Sequence, residues 1–109
     1  MADQSYPAPP YYAVIFTNQR ADGDHGYGAM AERMEALAKT MPGYLGFESA
    51  RNADGFGIAV SYWESEAAIK NWKAKAEHLE AQQKGRAEWY KDYTVRVAKV
   101  ERAYTMGGR

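Results

Sequence analysis

The hydrophobic period of this chain changes abruptly at Trp63. Residues 56–63 form an apolar run of strand character, whereas Ala68, Ile69, Trp72, Ala76 and Leu79 recur at three- and four-residue intervals, the spacing of one helix face. Between the two lies Ser65, a good N-cap whose hydroxyl can accept from a backbone N–H two or three residues on, and Glu66 falls favourably at the positive helix end. A strand therefore runs straight into a capped amphipathic helix, expected from Glu66 to about Lys84 with Gly85 as its C-terminal cap. Trp72 belongs to the buried stripe. His78 follows six residues later, about 240° round an ideal helix, off the line of Trp72 and beside the Leu79 edge. The two can flank one cavity without touching.

The remaining segments fall into place around that unit. Residues 11–17 are β-branched and aromatic and end in a polar run, which reads as a strand and a loop. Tyr27, Met30, Ala31, Met34, Leu37, Ala38 and Met41 share one helical face, with Asp24 as N-cap and Pro42 and Gly43 as the stop. Residues 44–51 and 56–63 flank an Asp54-Gly55 pair suited to a tight antiparallel hairpin. Residues 86–92 suggest a short helical turn, and residues 93–104 alternate as a long strand. The order is βαββαβ, an α+β ferredoxin-like plait with one antiparallel sheet and helices on one face. Residues 1–10 read as an extended proline-rich arm, 11–104 as a single domain and 105–109 as a mobile tail.

Both parities of the first and last strands are apolar or aromatic. Tyr12, Val14 and Phe16 point one way and Ala13 and Ile15 the other, while Val95 and Val97 oppose Ala98, Val100 and Tyr104. Two helices cover one sheet face, so the other is expected to pack against a second copy in a sheet-to-sheet homodimer. A curled monomer whose arm covers that face is the alternative. At 109 residues the chain is one small domain whose own burial leaves marginal stability, which a partner subunit would raise. Fourteen basic and fourteen acidic side chains cancel, so nothing marks a partner in nucleic acid or anionic membrane. There is no cysteine, which excludes disulfides and thiolate chemistry and is compatible with the reducing cytoplasm, the expected location. The first residues lack the basic start and apolar core of a signal peptide, and no stretch is long and apolar enough to span a bilayer.

With these elements in place, residues 12–17, the turn at residues 41–49 and above all residues 60–72 resemble the antibiotic biosynthesis monooxygenase (ABM) superfamily of dimeric α/β barrels, over roughly residues 11–104. Residues 76–90 resemble a bacterial subgroup whose members mostly lack an assigned reaction. The resemblance implies a pocket in each subunit between helices and sheet. Some members oxygenate polycyclic aromatic substrates without metal or flavin, and relatives bind and degrade haem. In the haem-degrading branch a tryptophan occupies the equivalent of Trp72, but its histidine ligand would fall about one helical turn after His78. Asn18 is the counterpart offered for that branch's first-strand asparagine. The register of the histidine argues against haem, and no metal or other cofactor is expected, with dioxygen as co-substrate.

His78 is the candidate catalytic residue. An imidazole titrates near neutral pH and can take a proton from a phenol or enol, leaving an electron-rich anion that reacts with dioxygen in a dry pocket. A histidine between Glu77 and Glu80 equally fits plain solvation. Trp72 is both a core anchor and a candidate pocket wall. Trp89, Tyr90 and Tyr93, with Tyr62, Trp63 and Phe56, suit a flat aromatic cavity for a planar ligand, or a core and dimer seam built from rings. Arg96 shares a strand face with Arg102, where either can grip an anionic ligand group or pair with Glu48 or Glu64. His25 lies in a loop without the spacing of a calcium or zinc site, and the methionines sit at core spacing. Three functions are compatible with these residues: a cofactor-independent monooxygenase acting on a small aromatic or quinol-like molecule, with Trp72, Trp89, Tyr93 and Arg96 holding substrate; a non-catalytic small-molecule binding or stress-response module; and a haem protein with His78 as proximal ligand.

Overall fold

A computed structural model describes residues 7–83 and 86–107. The elements are β1 (Tyr11–Arg20), α1 (Tyr27–Ala38), β2 (Tyr44–Arg51), β3 (Phe56–Trp63), α2 (Glu66–Gln83), α3 (Arg86–Trp89) and β4 (Tyr90–Val100). The sheet order is β2-β3-β1-β4 and every neighbouring pair is antiparallel, so the fold is the expected ferredoxin-like plait. The expected end of α2 near Lys84 and its cap at Gly85 lie outside the described residues. Ser65 caps α2 as its position suggests, with Oγ accepting from the Ala68 N–H at 3.1 Å.

Several element ends differ from the sequence reading. Strand β1 continues through Asn18, Gln19 and Arg20, read as loop, because they pair with Tyr93, Asp92 and Tyr90 of β4. Asp24 accepts from the N–H groups of Gly26 and Gly28 at 2.8 and 3.1 Å, but the N-cap is Gly26, because two further turn residues with positive φ, His25 and Gly26, precede the helix. Helix α1 ends at Ala38, where Met41 N–H already bonds the Ala38 carbonyl three residues back; Met41 still packs on the core from the turn. Strand β4 starts at Tyr90 and stops at Val100, because its partner β1 begins at Tyr11, which pairs with Val100. Beyond it the proline pair Pro9 and Pro10 has no N–H to donate.

Directly opposed residues share a sheet face. Tyr12, Val14, Phe16 and Asn18 of β1 therefore stand with Trp63, Ser61, Ala59 and Gly57 of β3 and with Lys99, Val97, Val95 and Tyr93 of β4. This is the helix face: Ala38, Trp63, Ala68 and Ile69 form its buried core, with Tyr12, Val14, Met41, Tyr44 and Trp72 against it. Ala13, Ile15, Thr17, Ile58, Val60, Tyr62 and Arg96 stand on the outer face. The helix layer covers β3 and β1 better than β4, so Val95 and Val97 are 51% and 50% exposed although they face the helix side.

Candidate functional site

Two aromatic groups mark the ends of the helix face. At the first, Trp63 is wholly buried, its indole N–H donating to Ser61 Oγ at 2.8 Å, and Trp72 stacks on it at 5.9 Å with 22° between ring planes. Helix α2 carries Trp72 here because the connection after Trp63 is only two residues long and folds the helix back along β3. His78, further along α2, is exposed, and among the described residues it has no hydrogen bond or ion pair.

The second group lies four to six residues along β1 from Tyr12, roughly 13–20 Å away. Phe16 meets Tyr90 edge-on at 5.3 Å and Tyr93 at 5.4 Å, and the two tyrosines meet at 5.9 Å. Tyr27, at the start of α1, meets Tyr90 at 5.8 Å and Trp89 at 6.1 Å. Trp89 is buried and ties three segments together. Its indole N–H donates to the His25 carbonyl at 3.0 Å, and its own carbonyl accepts from Arg20 Nε and the Ala21 N–H, each at 2.8 Å. Burial, followed by the neighbouring Tyr27 and the hydrogen bond to it, pushes the Tyr90 hydroxyl well above the ordinary tyrosine value, against the opposing pull of Arg51 and Arg20. Tyr90 is thus held as a neutral phenol.

From the second group toward the first, Val95 and Val97 extend Phe16 and Tyr93 into an apolar floor that the helices leave half open. At its Tyr93 end stands Asn18, 2% exposed, whose Oδ1 is buried without a hydrogen-bond partner. An orphaned buried acceptor costs about 1–3 kcal/mol. Replacing Asn18 with Leu is accordingly expected to raise stability by about 1–2 kcal/mol in urea denaturation while weakening binding of any hydroxyl-bearing ligand. A loss of stability would show that the amide is a structural group.

Of the residues singled out from the sequence, Trp89 and Tyr93 come together through Tyr90, and Trp72 stands at the far end of the same face. Arg96 is on the outer face, with Nη1 3.5 Å from Thr17 Oγ1. The six-ring cavity does not assemble: Tyr62 and Phe56 have the opposite strand parity from Trp63 and lie on the outer face, where Tyr62 packs edge-on against Tyr11 and donates to Glu48 at 2.9 Å. A shallow open depression of about 270 Å³ at the hairpin is lined by Ala50, Arg51, Asn52, Phe56, Gly57 and Ile58. Phe16, Tyr27, Arg20 and Arg51 join the site although nothing in their local sequence singles them out. Parity was the available signal, since Asn18 is a polar residue on the same strand face as Tyr12, Val14 and Phe16. Among the described residues no three His, Cys, Asp or Glu side chains converge as a metal site would require.

Residues 11–84 match the family model for antibiotic biosynthesis monooxygenase. The chain belongs to that family. It is 57% identical over 96 residues to the uncharacterized protein YqjZ of Bacillus subtilis, covering 88% of this chain and 84% of that protein. It is also 29% identical over 94 residues to the jasmonate monooxygenase ABM of Pyricularia oryzae, 82% of this chain but 43% of that longer one. Its fold is similar to SnoaB, a cofactor-independent oxygenase from Streptomyces nogalater, with a TM-score of 0.67 at 14% identity over 91% of this chain and 99% of the other. This ABM-family chain has no described helix long and apolar enough to cross a membrane.

Proposed function

We propose that the protein is a monooxygenase that takes a small planar aromatic or quinol-like molecule into the space between the helices and β4. The observation that carries this reading is the half-open apolar floor of Phe16, Val95 and Val97 ending at the unpaired Oδ1 of Asn18. An apolar surface facing the helix layer and an acceptor without a donor are both relieved by a flat ring bearing a hydroxyl. Trp72 bounds one end and Tyr93, backed by Trp89, the other. His78, exposed on α2, is the proposed base, and in that role its imidazole reaches the substrate hydroxyl at hydrogen-bond distance. Loss of the phenolic proton gives an electron-rich anion. Dioxygen then converts a ring C–H to a carbonyl, with one oxygen atom entering the product, the other leaving as water, and the substrate supplying the electrons. Incubation of the purified protein with naphthols under isotope-labelled dioxygen, with a chelator present, should yield naphthoquinone carrying one labelled atom. Tight binding without turnover would instead favour a non-catalytic binding module.

A homodimer is part of this reading, because the outer face leaves Phe56 and Ile58 at 41% and 43% exposure beside Ile15 and Val60. Glu48, Val60, Ile15 and Arg96 form one transverse row on that face. A twofold axis parallel to the strands lays Glu48 of one protomer over Arg96 of the other, an arrangement that satisfies opposite charges at both ends. Sedimentation equilibrium at micromolar concentration is expected to give twice the chain mass, and Ile15→Asp is expected to give the monomer. A wild-type monomer would remove the dimer from the proposal.

A further inference from the structure

Arg51 occupies an unusual position for a surface arginine. It lies at the end of β2, opposite Gly57 of β3, and Gly57 in turn opposes Asn18 of β1. A Cβ on Gly57 would fall 2.7 Å from both Cζ and Nη1 of Arg51 and 2.9 Å from Nη2. The absence of that methyl lets the guanidinium lie flat across β3 toward Asn18 instead of projecting into solvent. Arg51 and Asn18 thus stand in one transverse row two strand spacings apart, about 10 Å between backbones, and the guanidinium laid over Gly57 covers the strand between them.

The charge of this guanidinium is not neutralised. Nη1 donates to the Gly55 carbonyl at 2.6 Å and Nη2 to the Tyr27 hydroxyl at 3.0 Å, both neutral acceptors, which leaves about three of five N–H donors for another partner. Arg20 adds a second cation, its Cζ 3.8 Å above the same Tyr27 ring and its N–H groups bonded to the carbonyls of Trp89 and Gly23. The ion pairs among the described residues join Lys39 to Glu35 and Lys73 to Glu77, far from this pair of arginines in the chain. Arg51 remains exposed at the hairpin depression. Two cations converging on one phenol, neither ion-paired among the described residues, at the polar end of an apolar floor make a receptor for a single anionic group on a flat apolar body.

We infer that Arg51, laid across Gly57 and backed by Arg20, is the anion-binding pole of the site, and that the natural ligand is a planar apolar carboxylic acid. This rests on the aromatic-pocket reading above and adds the charged group to it. Arg51 binds the carboxylate and does no chemistry. Its geometry depends on Gly57, which makes Gly57 a specificity-determining position although it touches no ligand.

Calorimetric titration with naphthoate and naphthol separates the claims. Wild-type protein should bind naphthoate at least about tenfold more tightly than naphthol. Arg51→Gln should erase that preference, leaving naphthol affinity within about twofold. Gly57→Ala, which keeps the arginine but displaces its guanidinium, should weaken naphthoate binding in the same direction. Circular dichroism establishes that each variant is folded; should Gly57→Ala not fold, Arg51→Gln decides alone. Binding of naphthol without preference for naphthoate, or a preference that survives Arg51→Gln, overturns the anion pole and leaves the aromatic pocket standing. Failure of both probes to bind overturns the pocket and the pole together.

Discussion

Gly43→Ala is expected to destabilise the protein by about 2–5 kcal/mol. Two independent costs meet at this residue. Its φ is +85°, in the left-handed region where a side chain costs about 1–2 kcal/mol. A Cβ there would also lie 2.6 Å from Cβ of Ala68, and a methyl has no rotamer through which to yield. Ala68 is buried in the core beside Trp63 and Ile69, so relief requires α2 to move off the sheet and loosens the Trp63–Trp72 stack. The Gly43 carbonyl accepts from the Glu64 N–H at 2.8 Å, which holds the two turns together and resists that movement. Gly26 is the internal control, with the same φ of +85° and nothing within 4 Å of its absent Cβ. Gly26→Ala should therefore show only the backbone cost in urea denaturation. Equal losses in the two variants would mean that contact with Ala68 contributes nothing, whereas partial rescue of Gly43→Ala by Ala68→Gly would isolate it.

His78→Ala is expected to lower turnover of a phenolic substrate by roughly 10²–10⁴-fold, the usual contribution of a positioned general base. The exposure of His78 makes the measurement clean. Among the described residues it has no hydrogen bond or ion pair, so its removal should change stability by less than about 0.5 kcal/mol. A fall in rate then reports on chemistry. The other histidine, His25, is an exposed loop residue at φ 48°, with its ring beside Gly23 and its carbonyl engaged by Trp89. Single-turnover rates should fall while ligand affinity stays within about threefold, since a base acts in the transition state. Turnover within about twofold of wild type would exclude His78 as the base and leave Asn18 and the aromatic floor as the reactive surroundings.

Much of the architecture was legible because it depends on local periodicity. Trp72 and Ile69 fall on one helical stripe and both reach the core; Ser65 caps α2 through a bond three residues on; the Asn52–Gly55 turn closes with Phe56 N–H on Asn52 Oδ1 at 3.0 Å. Each needs only neighbours within a few residues. Element ends were less legible where partners set them. Strand β4 stops at Val100 because β1 has no further residue to pair with, a condition nearly ninety residues away in the chain.

The sequence by itself determined the order of elements, the family and the presence of two apolar sheet faces, because a period of two or of three and a half is written into consecutive residues. Which rings share a face was decided only by register. Tyr62 and Trp63 are adjacent in the chain, yet Tyr62 joins Tyr11 and Glu48 outside while Trp63 joins Trp72 beneath the helices. The orphaned acceptor of Asn18 and the passage of Arg51 over Gly57 likewise arise from pairings across three strands. Burial and unmatched charge are properties of what surrounds a group, and those surroundings exist only once distant strands have docked.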